Sequence, residues 1–377
     1  MTALTMAFVL FGIGLVQAML LNAWRDLWKK GEGSLHDHRP TRDGISMIVP
    51  ARNADRTLVS LLQDLFAQDV PKERIEVIVV DDHSEDDTAR VVSAMMPRWP
   101  QLKLISAPEP GKKAAITAGV AASQYDIVVL TDADARCGPS RASAIAERMV
   151  AGRVDLLILP VRTIGERSFL GRLQEEEQAA LAGMALGEAK LDRPGLAFGA
   201  NLAFRKEAFH EVGGYTGDRF ASGDDVFLVD RMRKAGRTIA GYTDPSALVT
   251  VEGEGTWAGF MQQRIRWAGK MRGMVSAMNV LGAMALLWPW LLVRSSARSE
   301  MASILEGQGL EVLFLLIAAW GLAIAPVVGL VREVRGKFEQ RSSDLVSVLC
   351  YMLFLVYAPV IAVVSLVHRP RWKGRRT

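Results

Sequence analysis

Short apolar segments alternate with helix-forming segments between residues 45 and 130, and this alternation constrains the fold more than any other feature of the chain. Ile45 to Val49, Ile75 to Val80 and Ile127 to Leu130 are continuous apolar runs of strand length. The segments between them have the apolar spacing of helices. Strands joined in this way form a parallel sheet with helices on both faces. Ligands of such sheets bind beyond the carboxyl ends of the strands, so the polar residues that follow each strand are candidates for a functional site.

Two carboxylates, Asp132 and Asp134, directly follow the strand that ends at Leu130. In a strand, residues i and i+2 share a face, so both side chains can point into one site. Carboxylate oxygens there suit Mg²⁺ or Mn²⁺ held together with a diphosphate. Asp-Ala-Asp is also typical of an Asx turn or a helix cap. The pattern alone therefore leaves a metal site and a turn open.

The hydrophobic share of 50% is high for a soluble enzyme, and the excess lies at the two ends of the chain. Thr2 to Leu21 carry no charge and reach the roughly 20 residues that cross a bilayer. The length of this apolar run favours a retained transmembrane anchor over residues 1–24 rather than a signal peptide. Residues 25–43, rich in Gly, His, Asp and Arg, are predicted to be a linker.

A second membrane region is predicted over residues 275–377. Leu310 to Val331 and Leu345 to Val367 are long enough to span. Val275 to Val293 contains Trp-Pro-Trp and either spans or lies re-entrant at the interface. Basic residues follow both of the last two stretches, so the positive-inside rule does not decide where the chain ends.

The net charge of +4 does not indicate a nucleic-acid partner, because the basic residues cluster at membrane flanks and not in a stripe with aromatic residues. The two cysteines, Cys137 and Cys350, lie in segments that are not expected to meet. A disulfide framework is therefore excluded, and the soluble part is expected to face a reducing compartment.

The soluble domain is predicted to cover residues 44–255 and to end with more irregular elements. Glu175, Glu176 and Glu177 interrupt a long helical stretch and are expected to form a solvated face. Ser222-Gly-Asp-Asp opens another helix. An amphipathic helix rich in Arg, Gln and Trp follows within residues 256–274, and its composition is also typical of interfacial anchoring.

Seven short motifs, taken in order, resemble those of one family. They are MIVPARN (47–53), VVDDHS (79–84), GKKAAI (111–116), TDAD (131–134), GAN (199–201), SGDD (222–225) and QQRIRW (262–267). Together they resemble a family 2 glycosyltransferase of the A-type fold, in its membrane-anchored bacterial branch. The resemblance implies an α/β, Rossmann-like catalytic domain with N-terminal and C-terminal transmembrane helices.

That resemblance also implies an activity. It predicts an inverting, metal-dependent glycosyltransferase that moves a sugar from a UDP-linked donor to a lipid or lipid-linked acceptor. Asp225 matches the general base and Asp134 the ligand of Mg²⁺ or Mn²⁺. The family usually has Glu-Asp where this chain has Asp224-Asp225, which keeps a carboxylate but shortens the first position.

Further residues receive roles from the same motifs. The residues predicted to bind the donor are Pro50, Arg52, Asp82, Lys112, Asp132 and Asn201. Those predicted to meet the acceptor or the diphosphate are Asp224, Gln263, Arg266 and Trp267. Gly199 and Ala200, which precede Asn201, would let the backbone approach the donor sugar closely, and Trp267 offers a flat face for stacking.

Two alternatives remain beside this prediction. One is a processive polysaccharide synthase of the cellulose or hyaluronan type. The other is a non-catalytic membrane protein that keeps the fold as a nucleotide-binding scaffold. The expected location is the bacterial inner membrane, with the catalytic domain on the cytoplasmic face.

Overall fold

The computed structural model describes residues 3–30, 43–191, 194–218, 223–270, 286–296 and 309–368, with the backbone of 371–372 and 375–376. The helices are α1 (Ala3–Lys29), α2 (Leu58–Phe66), α3 (Thr88–Met95), α4 (Lys112–Ala122), α5 (Arg141–Ala151), α6 (Phe169–Lys190), α7 (Lys206–Glu211), α8 (Asp224–Lys234), α9 (Trp257–Lys270), α10 (286–296), α11 (Gly309–Lys337) and α12 (Asp344–Val367). The strands are β1 (Ile45–Ala51), β2 (Ile75–Asp81), β3 (Leu102–Ser106), β4 (Ile127–Thr131), β5 (Ala135–Cys137), β6 (Leu156–Ile158), β7 (Val161–Ile164), β8 (Asn201–Arg205), β9 (Ile239–Gly241), β10 (Val249–Glu252), β11 (Arg371–Trp372) and β12 (Arg375–Arg376).

The central sheet has seven strands in the order β3-β2-β1-β4-β8-β6-β9. Its first four strands are parallel, which confirms the predicted strand and helix alternation. Strand β8 runs antiparallel to both β4 and β6, so the sheet is mixed and not purely parallel. Thr131 pairs with Asn201, which means that β8 begins where β4 ends. The loop before β8 is therefore brought to the carboxyl edge of the parallel strands.

The strand predicted from Val154 to Val161 is two strands. Residues of β6 belong to the central sheet, whereas β7 pairs with β10 in a second sheet of order β5-β10-β7. Pro160 lies between them and has no N–H to donate to a ladder, which favours the break at this point. The second sheet carries β5 directly after the Asp132 and Asp134 pair.

The membrane-proximal ends of two helices form part of the catalytic core. Trp24 and Trp28 of α1 pack in one cluster with Leu330 and Phe338 at the end of α11. Helix α6 permits this close packing through glycines, since a Cβ at Gly187 would lie 2.6 Å from the Trp24 ring. Helix α1 continues past the predicted boundary at residue 24 to Lys29, with Trp28 buried against the catalytic domain. Residues 31–42 of the predicted linker lie outside the described residues.

The acidic run on α6 is buried, contrary to the expected solvated face. Glu176 meets Arg335 of α11 at 3.0 Å, and both side chains are 4% exposed. Glu177 meets Arg264 of α9 at 2.7 Å, and Glu175 meets Arg172 at 2.9 Å. Each carboxylate is compensated by an arginine, two of which come from elements distant in sequence. These pairs join the catalytic domain to α9 and to the membrane region.

Three helices among the described residues are long and apolar enough to cross a membrane, namely α1, α11 and α12. The starts of α1 and α11 pack together through Leu10, Val312 and Leu316, and their ends reach the catalytic domain. Helix α12 runs the opposite way, because Asp344 at its start pairs with Arg335 at the end of α11. Of the predicted 275–293 stretch, residues 275–285 lie outside the described part; the rest belongs to α10, which packs beside the middle of α1.

Candidate active site

The loop after β2 is braced from β1. Arg52 is buried, and its Nη1 donates to the carbonyl oxygens of Asp82 at 3.1 Å and His83 at 2.9 Å. Its guanidinium thus shapes the loop that carries Asp82, which is the role the observed contacts support. Pro50 lies half-buried in β1 beside Val80.

Asp82 connects the end of β2 to the start of α4. Its Oδ1 accepts a hydrogen bond from the Gly111 amide at 2.8 Å, and its side chain is buried. Gly111 has φ +136, a conformation that L side chains rarely adopt, so a glycine suits this cap. The contact fixes the start of α4, and with it Lys112, at the carboxyl edge of the sheet.

Lys112 joins three parts of the site. Its Nζ lies 2.8 Å from Asp132 Oδ1 and 2.9 Å from Asp224 Oδ2. Burial alone would lower the pKa of Lys112, but the two carboxylates outweigh burial and raise the pKa above its usual range. A cation at a helix N-terminus is disfavoured by the helix dipole, and these two anions offset that cost.

Asp224 and Asp225 open α8 and are both buried. Gly223 before them has φ +92, and a Cβ there would lie 2.6 Å from the Phe227 ring. The left-handed turn explains the glycine in the Ser-Gly-Asp-Asp motif. Burial would raise the pKa of Asp224, but Lys112 and Lys270 together lower it below its usual range. Asp224 is therefore held as an anion between two lysines.

Asp225 is surrounded by donors. Its Oδ2 accepts from the Gly199 amide at 3.3 Å, and its Oδ1 accepts from the Val226 amide at 2.8 Å. Lys270 Nζ lies 3.2 Å from both oxygens. The sequence motifs did not single out Lys270. The available signal was its spacing of four residues from Arg266, which puts both on one side of α9.

The loop before β8 approaches the two aspartates closely. A Cβ at Gly199 would lie 2.5 Å from Asp224 Oδ2 and 3.0 Å from Lys112 Nζ. Only a glycine leaves room for the backbone here. The backbone therefore approaches Asp224 and Lys112 closely, and the approach to a donor sugar stays a prediction.

Asn201 does not present its side chain to a donor. It is fully buried; its Oδ1 accepts from Arg141, and its Nδ2 donates to the carbonyl oxygens of Pro160 at 2.7 Å and Ala247 at 2.8 Å. The predicted donor-binding role of this side chain is therefore wrong, since its amide is occupied inside the protein. It ties β8 to the turn at Pro160 and so positions Gly199.

Helix α9 connects the site to α12. Gln263 Nε2 donates to Glu254 at 3.2 Å, while Phe260 packs edge-on against Tyr357 of α12 at 5.5 Å. The Arg264 guanidinium lies over the Trp267 ring at 4.3 Å. One face of Trp267, predicted to stack on a sugar or a lipid, is therefore covered by Arg264.

Arg266 faces the carboxylate cluster. Burial lowers the pKa of its guanidinium, while Asp132, Asp224, Glu254 and Asp225 act in the opposite direction. Arg266 lies four residues before Lys270 on α9, so the two side chains leave the same side of the helix, on which Lys270 contacts Asp225. Three cations and three aspartates thus share one site: Lys112, Arg266, Lys270, Asp132, Asp224 and Asp225.

The two carboxylates after β4 lie in different environments. Asp132 is one-third exposed and paired with Lys112, whereas Asp134 is exposed. No group of three or more His, Cys, Asp or Glu side chains suited to a metal occurs in the described part of the chain. Mg²⁺ and Mn²⁺ sites at phosphates use one or two carboxylates, with substrate oxygens and water completing the shell. Asp134, with Asp132 beside it, fits such a site.

The sequence matches known proteins over the same region. Residues 46–213 match the model of the family described as Glycosyl transferase family 2. A probable glycosyltransferase, YdaM, of Bacillus subtilis is 27% identical over 233 residues, which cover 59% of this chain and 54% of the relative. The beta-monoglucosyldiacylglycerol synthase of Synechocystis is 26% identical over 228 residues, covering 59% and 47%. The chain thus spans about half the length of these curated relatives.

A solved structure has a similar fold. The mannosyltransferase PcManGT from Pyrobaculum calidifontis, in complex with GDP-Man and Mn²⁺, superposes with a TM-score of 0.57 at 22% identity. The match covers 94% of this chain and 99% of that chain. The order of the strands, the aspartates at their carboxyl edge and these matches lead to one assignment. Residues 46–213 are similar in sequence to glycosyl transferase family 2, and the chain shares the fold of this mannosyltransferase.

Proposed function

We propose that the protein is an inverting, metal-dependent glycosyltransferase that moves a sugar from a UDP-linked donor to a lipid acceptor in the membrane. The observation that carries this proposal is the pairing of Lys112 with both Asp132 and Asp224. Through this one lysine, the predicted donor side at the end of β4 is joined to α8, the helix that begins with Asp224 and Asp225. A transfer between two substrates needs these two sides to meet at one reacting carbon.

In this proposal Asp225 is the general base. An inverting displacement needs a base on the face opposite the leaving diphosphate, to take the proton of the acceptor hydroxyl as its oxygen bonds to the sugar. Asp225 is held in a fixed orientation by the Gly199 and Val226 amides. Asp224, one residue earlier, binds Lys112 and is committed to the donor side.

The leaving diphosphate is met by cations of the chain. Lys112 and Arg266 lie in the charge cluster, and each can donate to diphosphate oxygens, Arg266 through a planar fork. A divalent cation held by Asp134, with Asp132 beside it, would neutralise the charge that develops on the diphosphate. The nucleoside half is assigned to the edge formed by Pro50 and Asp82, which Arg52 braces.

A lipid acceptor is favoured by the course of α9. Phe260 packs against α12, and Lys270 at the end of the same helix contacts Asp225. Ten residues of helix span about 15 Å, so this length of α9 separates the contact with Asp225 from the contact with a helix of the membrane region. One relative, in Synechocystis, carries a name that specifies a glycosylated diacylglycerol. An acceptor held in the bilayer can reach Asp225 without leaving it.

The membrane topology is also part of the proposal. Helix α9 ends beside the catalytic site, whereas α11 begins at the end remote from it. With α11 as a span, its basic end, which packs against the catalytic domain, lies on the catalytic side of the bilayer. The positive-inside rule then assigns the catalytic domain to the cytoplasmic face of a bacterial inner membrane.

Transfer assays in detergent test this function. Purified protein is given UDP- and GDP-sugars with Mn²⁺, Mg²⁺ or chelator, together with a bacterial lipid extract, and products are identified by mass spectrometry. We expect a single sugar on a lipid from a UDP-linked donor, and none with chelator. A long polysaccharide from one donor would identify a processive synthase and contradict single transfer.

Two variants separate the roles. Asp225→Asn is expected to reduce the rate of transfer at least about 100-fold, because the base is removed. UDP is still expected to bind to this variant. Asp134→Asn is expected to weaken Mn²⁺-dependent UDP binding as well. Activity unchanged in both variants would overturn the mechanism.

A further inference from the structure

The base assigned above has no position left for its substrate in this structure. A carboxylate has about four lone-pair positions on its two oxygens. Asp225 uses one on each oxygen for the Gly199 and Val226 amides, and Lys270 Nζ lies 3.2 Å from both oxygens. The side chains of Asp225 and Lys270 are 8% and 14% exposed. An acceptor hydroxyl therefore cannot donate to Asp225 until Lys270 moves.

Lys270 lies close to the place where the donor diphosphate is expected. It acts on Asp224 as well as on Asp225, and Asp224 Oδ2 is 2.9 Å from Lys112. The two lysines therefore contact adjacent carboxylates from different elements, Lys112 on Asp224 and Lys270 on Asp225. Rotation of the flexible Lys270 side chain can bring its ammonium toward an anion bound at Lys112.

The charges favour such an exchange when donor binds. The positive charges of Lys112, Arg266 and Lys270 are balanced by the negative charges of Asp132, Asp224 and Asp225. A diphosphate adds negative charge to this balanced cluster, and it competes with the aspartates for the cations. Of the two neighbouring lysines, Lys112 has two carboxylate partners on separate residues, whereas Lys270 has only Asp225 within ion-pair distance among the described residues. Moving Lys270 therefore breaks fewer ion pairs than moving Lys112.

We propose that Lys270 is a latch: it caps Asp225 in the donor-free enzyme and transfers its ammonium to the diphosphate of the bound nucleotide, which frees the base for the acceptor. The proposal rests on the function assigned above. Donor binding and base availability are then coupled, so that the acceptor is activated only when a sugar is present to receive it. No bond forms or breaks in this step; a salt bridge is exchanged.

Lys270→Met is the informative variant, because methionine keeps most of the side-chain length and removes the charge. UDP affinity, measured by calorimetry, is expected to fall about tenfold, the value of one charge-assisted contact. The kcat/KM for the donor should fall by a similar factor, with the loss in KM. Lys270→Arg should restore most of both, since a guanidinium can meet either anion.

Lys103→Met is a matched control. Lys103 Nζ caps the buried carboxylate of Glu76 at 2.7 Å at the side of the sheet formed by β2 and β3. The control tests whether removing any lysine from a buried carboxylate produces the same effect. We expect its UDP affinity to match that of the wild type.

The possible results are distinguishable. A UDP affinity that is unchanged in Lys270→Met overturns the latch, as does a fall of kcat beyond about tenfold, since either result makes Lys270 a fixed support of Asp225. A wild-type protein that binds neither UDP nor GDP overturns the proposed function itself. Wild-type transfer combined with an unaffected Lys270→Met overturns the latch alone.

Discussion

Lys112 Nζ lies 2.9 Å from Asp224 Oδ2 and so joins the start of α4 to the start of α8. The two residues are 112 positions apart in the sequence. They meet in the fold because α4 begins at the edge of the parallel strands and α8 follows the antiparallel strand β8. The same ammonium also binds Asp132 at 2.8 Å. Several measurable consequences depend on this contact and on the buried groups around it.

Lys112→Met should reduce sugar transfer about 100-fold or more, because a preorganised cation facing the leaving diphosphate is lost. UDP binding should weaken in parallel. Lys113→Met is the control, since Lys113 Nζ is directed to Asp218 at 2.8 Å and not to the aspartates of the site. Nucleotide affinity by calorimetry should be near that of the wild type in the control. Equal losses in both variants would point to a general effect on α4.

Gly199→Ala should lower transfer by up to about 100-fold, because a methyl group 2.5 Å from Asp224 Oδ2 forces the carboxylate or the loop to shift. Steady-state rates with saturating donor provide the measurement. Gly138→Ala is the matched change, since a Cβ there has open space. A Gly199→Ala enzyme as active as Gly138→Ala would show that the loop yields without moving the site.

The stability of the catalytic domain should decrease with pH through Glu188. Burial raises the pKa of this carboxyl from 4.5 to about 7, although a hydrogen bond from the Gly195 amide lowers it. The folded protein therefore binds more protons than the unfolded chain between these values, and stability is lost as pH rises from 4.5 through 7. The full effect is on the order of 3 kcal/mol.

Glu188→Gln removes the titrating group and should flatten this part of the profile. Thermal unfolding in detergent at pH 5, 6, 7 and 8 should show that the melting temperature of the variant rises relative to that of the wild type as the pH increases. Parallel curves for the two proteins across this range would contradict the assignment. The result matters for the site, because Gly195 belongs to the loop that leads to Gly199.

Arg335→Met should destabilise the joint between the catalytic domain and α11. Glu176 would be left as a buried charge whose remaining donor, among the residues that the structure describes, is the Ser347 hydroxyl at 2.7 Å. Breaking one side of such a pair costs about 3–5 kcal/mol. Adding Glu176→Gln to this variant should recover much of the loss, since no buried charge then remains. Unfolding of both single variants and the double variant gives the coupling, and additive losses would exclude it.

Many elements and site residues of the catalytic domain could be predicted from short segments of the sequence. The strands β1, β2 and β4 begin where the predicted apolar runs begin and extend one or two residues beyond them, because the apolar residues that define each run lie within one short segment. The carboxylates at the strand ends were found for the same reason. Asp82, Lys112, Asp132, Asp224 and Asp225 were all named from short motifs.

The errors came from contacts between distant segments. Glu176 has the composition of a solvated helix face, and only Arg335, 159 residues later, makes its burial possible. Asn201 was expected to face a donor, but its amide is occupied by Arg141, Pro160 and Ala247. Lys270 carries no motif, and its role depends on where α9 ends relative to α8.

The sequence by itself determined the class of the fold, the family resemblance and the membrane segments, since each depends on residues that are near one another in the chain. The tertiary structure decided which charges compensate each other, that β8 enters the sheet antiparallel, and that Lys270 caps Asp225. These depend on the docking of α6, α8 and α9, whose partners are separated by tens of residues or more. Charge pairing across such distances leaves no periodic signal in a single sequence, so only the folded chain reveals it.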